Sequence, residues 1–90
     1  MNITNEQLFD VLKTVVTIDE DGTKHWYVND KLHRIDGPAI EWSDGVKWWY
    51  LNGLRHRIDG PAIEYSYGDN HWYINGKQLT EDEYNKRTTT

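Results

Sequence analysis

The stretch His33-Arg34-Ile35-Asp36-Gly37-Pro38-Ala39-Ile40-Glu41 recurs letter for letter as His56-Arg57-Ile58-Asp59-Gly60-Pro61-Ala62-Ile63-Glu64, an offset of 23 residues. A fixed period of this length marks an architecture of stacked supersecondary units, so it governs the fold before any single residue is read. Outward from it, Gly22, Trp26, Tyr27 and Asn29 return as Gly45, Trp49, Tyr50 and Asn52, and again as Gly68, Trp72, Tyr73 and Asn75. The chain reads as two full units and a closing half-unit. Such a pattern specifies a scaffold more sharply than a reaction.

Ninety residues suit one domain, and a chain of that size buries only about 60 to 65% of its unfolded surface, which leaves little room for an enclosed active site. The absence of cysteine excludes a disulfide framework and a thiolate metal site and favours a reducing, cytoplasmic setting. No apolar run is long enough to span a bilayer, and MNITNEQLFD lacks the basic start and apolar middle of a signal peptide, so a soluble protein is expected. A net charge of -5 repels phosphate backbones and argues against general nucleic-acid or membrane binding. Five Trp and six Tyr are more than so small a core can hide, so some are expected to face solvent or a partner.

Each unit reads as a β-hairpin. Residues 39–43 and 46–51 are β-rich runs around Asp44-Gly45, a dipeptide suited to a two-residue type I′ turn. That turn predicts Trp42 opposite Lys47 and Ile40 opposite Trp49, with Ile40, Trp42, Trp49 and Leu51 on one face and Ala39, Glu41, Trp48 and Tyr50 on the other. The third hairpin is expected to repeat this, with Ile63, Tyr65, Trp72 and Ile74 against Ala62, Glu64, His71 and Tyr73. The first hairpin calls instead for a three-residue loop, Glu20-Asp21-Gly22, with a left-handed Gly22 in a bulge, which sets Val16 opposite Trp26 and Ile18 opposite Lys24. Pro38 and Pro61 can each start a strand, where a missing N–H is tolerated.

Helical signals stand only at the ends. Thr4 and Gln7 resemble a capping box, followed by Leu8, Val11, Leu12 and Val15 at helical spacing. Thr80 to Glu83 form a second box, with Lys86 and Arg87 matching the helix dipole. The expected fold is mainly β with flanking helices (α+β): an antiparallel meander of about six strands built from three 23-residue hairpins. As one domain, 1–90, it divides into an N-terminal helix (1–15), the hairpin repeats (16–76), a C-terminal helix (79–87) and a frayed tail (88–90). The helices could cap the open edges of the stack, and the N-terminal one is expected across the Trp49 and Leu51 face.

Two groups of residues could carry function. His33, Arg34, His56 and Arg57, each pair followed by Asp36 or Asp59, could hold two phosphates or carboxylates about 10 Å apart. Equally, Arg and Asp beside a Gly-Pro turn could pair only to hold the connection. The second group is the aromatic row Tyr27, Tyr50 and Tyr73 with His25, Trp48 and His71 two residues before each, a surface that could stack bases or sugars or act as a protein hot spot. Burial under a helix or a dimer partner is the alternative. His25 and His71 are expected about 19 Å apart, too far for one metal ion. Ser43 and Ser66 have no paired His and acid, Asp36 with Glu41 and Asp59 with Glu64 are equal copies without a basis for unequal acidity, and no Gly-rich phosphate loop is present. No catalytic residue, cofactor or metal is therefore expected.

The units G-x-K-x-W-Y-x-N-G and H-R-x-D-G-P-A resemble the MORN-like hairpin repeats of many small bacterial and bacteriophage proteins, over residues 16–76. Asp30 stands where the first N-G pair would have Gly, and the third unit lacks H-R-x-D-G-P. The resemblance implies a non-catalytic β-repeat binding surface. It points to a phage-type accessory protein in the host cytoplasm that binds and inhibits a bacterial host or defence factor through its aromatic face. A binder of a nucleotide immune signal, with Arg34 and Arg57 on phosphates, and a structural or homo-oligomerising element are the alternatives.

Overall fold

The computed structural model describes residues 4–5 and 12–88. Ten short strands precede one helix: β1 (Val15–Ile18), β2 (Lys24–Val28), β3 (Lys31–Leu32), β4 (Ile40–Glu41), β5 (Lys47–Trp48), β6 (Tyr50–Leu51), β7 (Leu54–Arg55), β8 (Ile63–Glu64), β9 (Asn70–Ile74), β10 (Lys77–Leu79) and α1 (Glu81–Thr88). The main sheet runs β1-β2-β4-β5-β8-β9-β10, with β3 paired to β2, while β6 and β7 form a separate two-stranded ribbon. Every pairing is antiparallel, so the protein is mainly β with a single C-terminal helix among the described residues.

The three long hairpins share one loop. In the first, Gly22 N donates to Asp19 O (2.9 Å) and Asp19 N to Thr23 O (2.8 Å), with Gly22 at φ 91°. This is a turn closed by a left-handed glycine bulge, and Val16 pairs with Trp26 and Ile18 with Lys24 as expected. The same bonds recur from Gly45 N to Trp42 O and Trp42 N to Val46 O, and from Gly68 N to Tyr65 O and Tyr65 N to Asp69 O. The two-residue turn expected at Asp44-Gly45 is therefore corrected. The extra loop residue slips the register by one, so Ile40 pairs with Trp48 rather than Trp49, and Glu41 with Lys47. Ile63 likewise pairs with His71 rather than Trp72.

The tight two-residue turns lie elsewhere. Asn29-Asp30, Asn52-Gly53 and Asn75-Gly76 all have positive φ at both positions, the geometry of a type I′ turn, and they join Val28 to Lys31, Leu51 to Leu54 and Ile74 to Lys77. Asn tolerates this region through its short polar side chain, which is why Asp30 can stand in for Gly in the first turn.

The corrected register redistributes the faces. His25, Ile40, Trp48, Ile63 and His71 form one row straight across five strands. Lys24, Glu41, Lys47, Glu64 and Asn70 form the neighbouring row on the opposite face, where alternating charges attract across the strands. Ala39, Ala62, Ile40 and Ile63, all from the repeated stretch, are buried. The core is thus a narrow seam beneath the two Gly-Pro entries. At the hairpin tips Thr23 is buried, its Oγ1 accepting Ser43 N (3.2 Å), while Ser43 Oγ donates to Asp21 Oδ2 (3.4 Å). Ser43 joins two adjacent tips.

The C-terminal capping box forms: Glu83 N donates to Thr80 Oγ1 (3.1 Å) and Thr80 N to Glu83 Oε1 (2.9 Å). The bond from Thr80 N foremost, and then the Thr80 hydroxyl beside it, hold the Glu83 carboxyl below its ordinary value. The helix begins later than expected, because Leu79 completes β10 against Trp72, and Thr88 closes the helix rather than opening a tail. At the other end Val15, expected as the last residue of an N-terminal helix, starts β1 opposite Tyr27. Most of that expected helix, and its placement over Trp49 and Leu51, lie outside the described residues, as do residues 89 and 90.

Candidate functional site

The repeated His-Arg-Ile-Asp-Gly-Pro stretch forms a clasp. Arg34 Nε donates to Asp36 Oδ1 (3.2 Å), its Nη1 donates to Pro38 O (3.1 Å) and Glu41 Oε1 (3.1 Å), and its guanidinium lies 3.9 Å from the centre of the Trp26 ring. One offset later, Arg57 does the same to Asp59 Oδ1 (3.0 Å), Pro61 O (3.2 Å), Glu64 and Trp49 (3.8 Å). A Cβ at Gly37 or Gly60 would stand 2.8 Å and 2.6 Å from the Arg Cζ, so any larger residue would displace the guanidinium from this packing. The guanidinium needs that space to lie flat between ring and turn.

The histidines of the clasps join successive units. His33 N donates to Trp26 O and Arg34 N to Tyr50 O, while His33 Nδ1 accepts Asn52 N at 2.9 Å. His56 N, Arg57 N and His56 Nδ1 bond Trp49 O, Tyr73 O and Asn75 N in the same way. The tight turns at Asn52 and Asn75 are therefore each held by an imidazole from the preceding clasp. Burial pushes the His56 imidazole below its ordinary value, and the nearby Arg87 charge adds to this. Of the residues singled out from sequence, His33, Arg34, His56 and Arg57 are thus engaged in building the fold, and both arginines stack on Trp26 and Trp49, on the face away from the Tyr row.

The other six residues share one face. His25 stacks on Tyr27 (6.1 Å, 12°) and meets Trp42 edge-on, and Trp42 meets Trp48 edge-on at 5.2 Å. At the far side His71 meets Tyr65 edge-on (5.8 Å), and Tyr65 stacks on Tyr67. Trp42 and Tyr65, expected on the opposite face, belong here because of the one-residue register slip. Tyr27, Trp48, Tyr50 and Tyr73 are half-buried and Tyr67 is exposed.

A residue not expected from the sequence organises this surface. Arg55 donates from Nε to Tyr50 Oη (3.2 Å) and from Nη1 to Tyr73 Oη (3.4 Å), and its guanidinium lies 5.3 Å from both the Trp48 and Tyr73 ring centres. The Tyr50 bond, ahead of that to Tyr73, raises the Arg55 guanidinium above its ordinary value, so it stays charged. The register explains its placement: Tyr27, Tyr50 and Tyr73 pair with Leu32, Arg55 and Gln78. Gln78 in turn contacts His71 Nδ1 at 3.2 Å. The row of tyrosines thus faces a row of changing residues. That variation at a fixed repeat position, next to an invariant Tyr, is the signal that could have found Arg55.

The pairing row leaves His25 and His71 four strand spacings apart, about 19 Å. No group of three or more metal-ligating side chains lies together among the described residues, and no helix among them is long and apolar enough to cross a membrane. No protein-family model, no curated protein and no solved structure matches this chain.

Proposed function

We propose that the chain is a non-catalytic binding module of three 23-residue hairpin units whose aromatic face docks on a protein partner. The observation that carries this reading is Arg55, braced by the hydroxyls of Tyr50 and Tyr73 beside Trp48. Trp, Tyr and Arg are enriched in binding hot spots, and ordering a long side chain on binding costs conformational freedom. A guanidinium already held by two hydroxyls has surrendered that freedom before binding. Tyr27, His25 and His71 extend the same surface.

The resemblance to MORN-like repeats supports a phage-type accessory protein acting in the host cytoplasm, with a bacterial host or defence factor as its target. The nucleotide-sequestering alternative is less supported, since Arg34 and Arg57 already meet Asp36, Glu41, Asp59 and Glu64. Affinity purification from bacterial lysate tests the proposal, comparing wild type with Arg55→Leu, which installs the residue found at Leu32. A stoichiometric partner held by wild type and lost by the variant is expected. Equal recovery by both, or recovery only of the chain itself as an oligomer, would overturn the reading.

A further inference from the structure

On the face opposite the aromatic row, a cleft of about 350 Å³ opens between the two clasps, with Arg34, Ile35 and Asp36 on one rim, Ile58 and Asp59 on the other, and Leu51 in its floor. Its volume lies within the range of ligand-sized sites. The molecule itself displays what such a place accepts. One offset further on, the rim Arg57-Ile58-Asp59 is met by the C-terminal helix: Tyr84 donates its hydroxyl to Ile58 O, Arg87 Nη2 donates to the same carbonyl (3.0 Å), and the Tyr84 ring lies 6.2 Å from that of Trp72. Arg87 also stands over the Tyr84 ring at 4.7 Å. Ile35 occupies in the first clasp the position that Ile58 occupies in the second.

We infer that the cleft between the clasps is a docking site for a helix from a partner protein that carries a tyrosine and, one turn later, an arginine, offered to Ile35 as Tyr84 and Arg87 are offered to Ile58. The chemistry of the rims favours that occupant over an acidic or purely apolar one. Asp36 and Asp59 are largely exposed (73% and 72% of the side chain) and use one oxygen each on their own arginine, so each rim presents negative charge to an incoming guanidinium. Ile58, 61% exposed, and Leu51 provide the apolar contact for an aromatic ring. Arg57 stacks on Trp49, which also lines the cleft, so the incoming ring meets Leu51, Ile35 and Ile58 beside the indole. The cleft lies on the sheet face away from Arg55, so it stands independently of the aromatic-face proposal.

A peptide of the chain's own residues 79–90 is the probe, added to the full-length protein and followed by amide chemical shifts. Saturable shifts at Ile35, Asp36 and Leu51 are expected, weakened at least several-fold by Tyr84→Phe or Arg87→Ala in the peptide and by Asp36→Lys in the protein. Shifts confined to Ile58 and Trp72 would mean that the peptide only exchanges with the resident helix, and this would overturn the inference. So would the absence of shifts at millimolar peptide, or equal binding of a peptide whose Arg87 is replaced by Glu.

Discussion

Asn75 N donates to Nδ1 of His56 at 2.9 Å, so a tight turn of one unit is held by an imidazole of the unit before it. The bond requires an unprotonated Nδ1. Burial and the Arg87 charge place the imidazole below its ordinary value of 6.5, which favours the neutral form that the bond needs. In the unfolded chain the same group binds its proton more readily. Stability from His56 is therefore fully present above about pH 6.5 and falls as pH drops below that value towards the lower folded-state one. The thermal midpoint is expected to decline between about pH 7 and about pH 5, and His56→Asn, whose side-chain oxygen can accept the same N–H, should flatten that decline. An unchanged slope in the variant would refute the assignment.

Arg57→Lys is expected to destabilise the fold by about 2 kcal/mol in chemical denaturation, since an ammonium cannot hold Asp59, Pro61 O and Glu64 while lying flat on Trp49. A loss no larger than that of an exposed control such as Lys86→Ala would show that the clasp contributes little.

Gly60→Ala should cost a similar amount, because its Cβ would meet the Arg57 guanidinium at 2.6 Å. The two changes act on one packing arrangement. Their double mutant should therefore be clearly less destabilised than the sum of the singles. Simple additivity would show that Gly60 serves another purpose.

Tyr84→Phe keeps the ring over Trp72 and removes only the hydroxyl bond to Ile58 O. About 1 kcal/mol of stability should be lost, together with faster amide exchange in residues 81–88. Retention of full protection there would mean that the ring alone secures the helix.

Much of the scaffold is legible in the residues. The spacing of the two HRIDGPAIE stretches places the recurring clasps, and Asp21-Gly22, read with the pattern of Val16 and Trp26, leads to the correct loop and register. Read the same way, Asp44-Gly45 and Gly68 would have followed, and the three Asn turns carried the stronger tight-turn signal. Loop type was the ambiguity. Asp-Gly suits both a two-residue turn and the end of a bulged three-residue loop, and the choice reverses which face Trp42, Trp48 and Trp49 occupy.

By itself, then, the sequence determined the period, the β character and the C-terminal cap, because each depends on residues close together in the chain. Only the tertiary structure decided which tryptophans share a face, that the His-Arg pairs are drawn into joining units, and that Arg55 links Tyr50 to Tyr73. Those outcomes depend on bonds between strands, from His56 to Asn75 and from Arg55 to Tyr73. No local pattern encodes them, since a one-residue change in a loop moves every side chain beyond it to the opposite face.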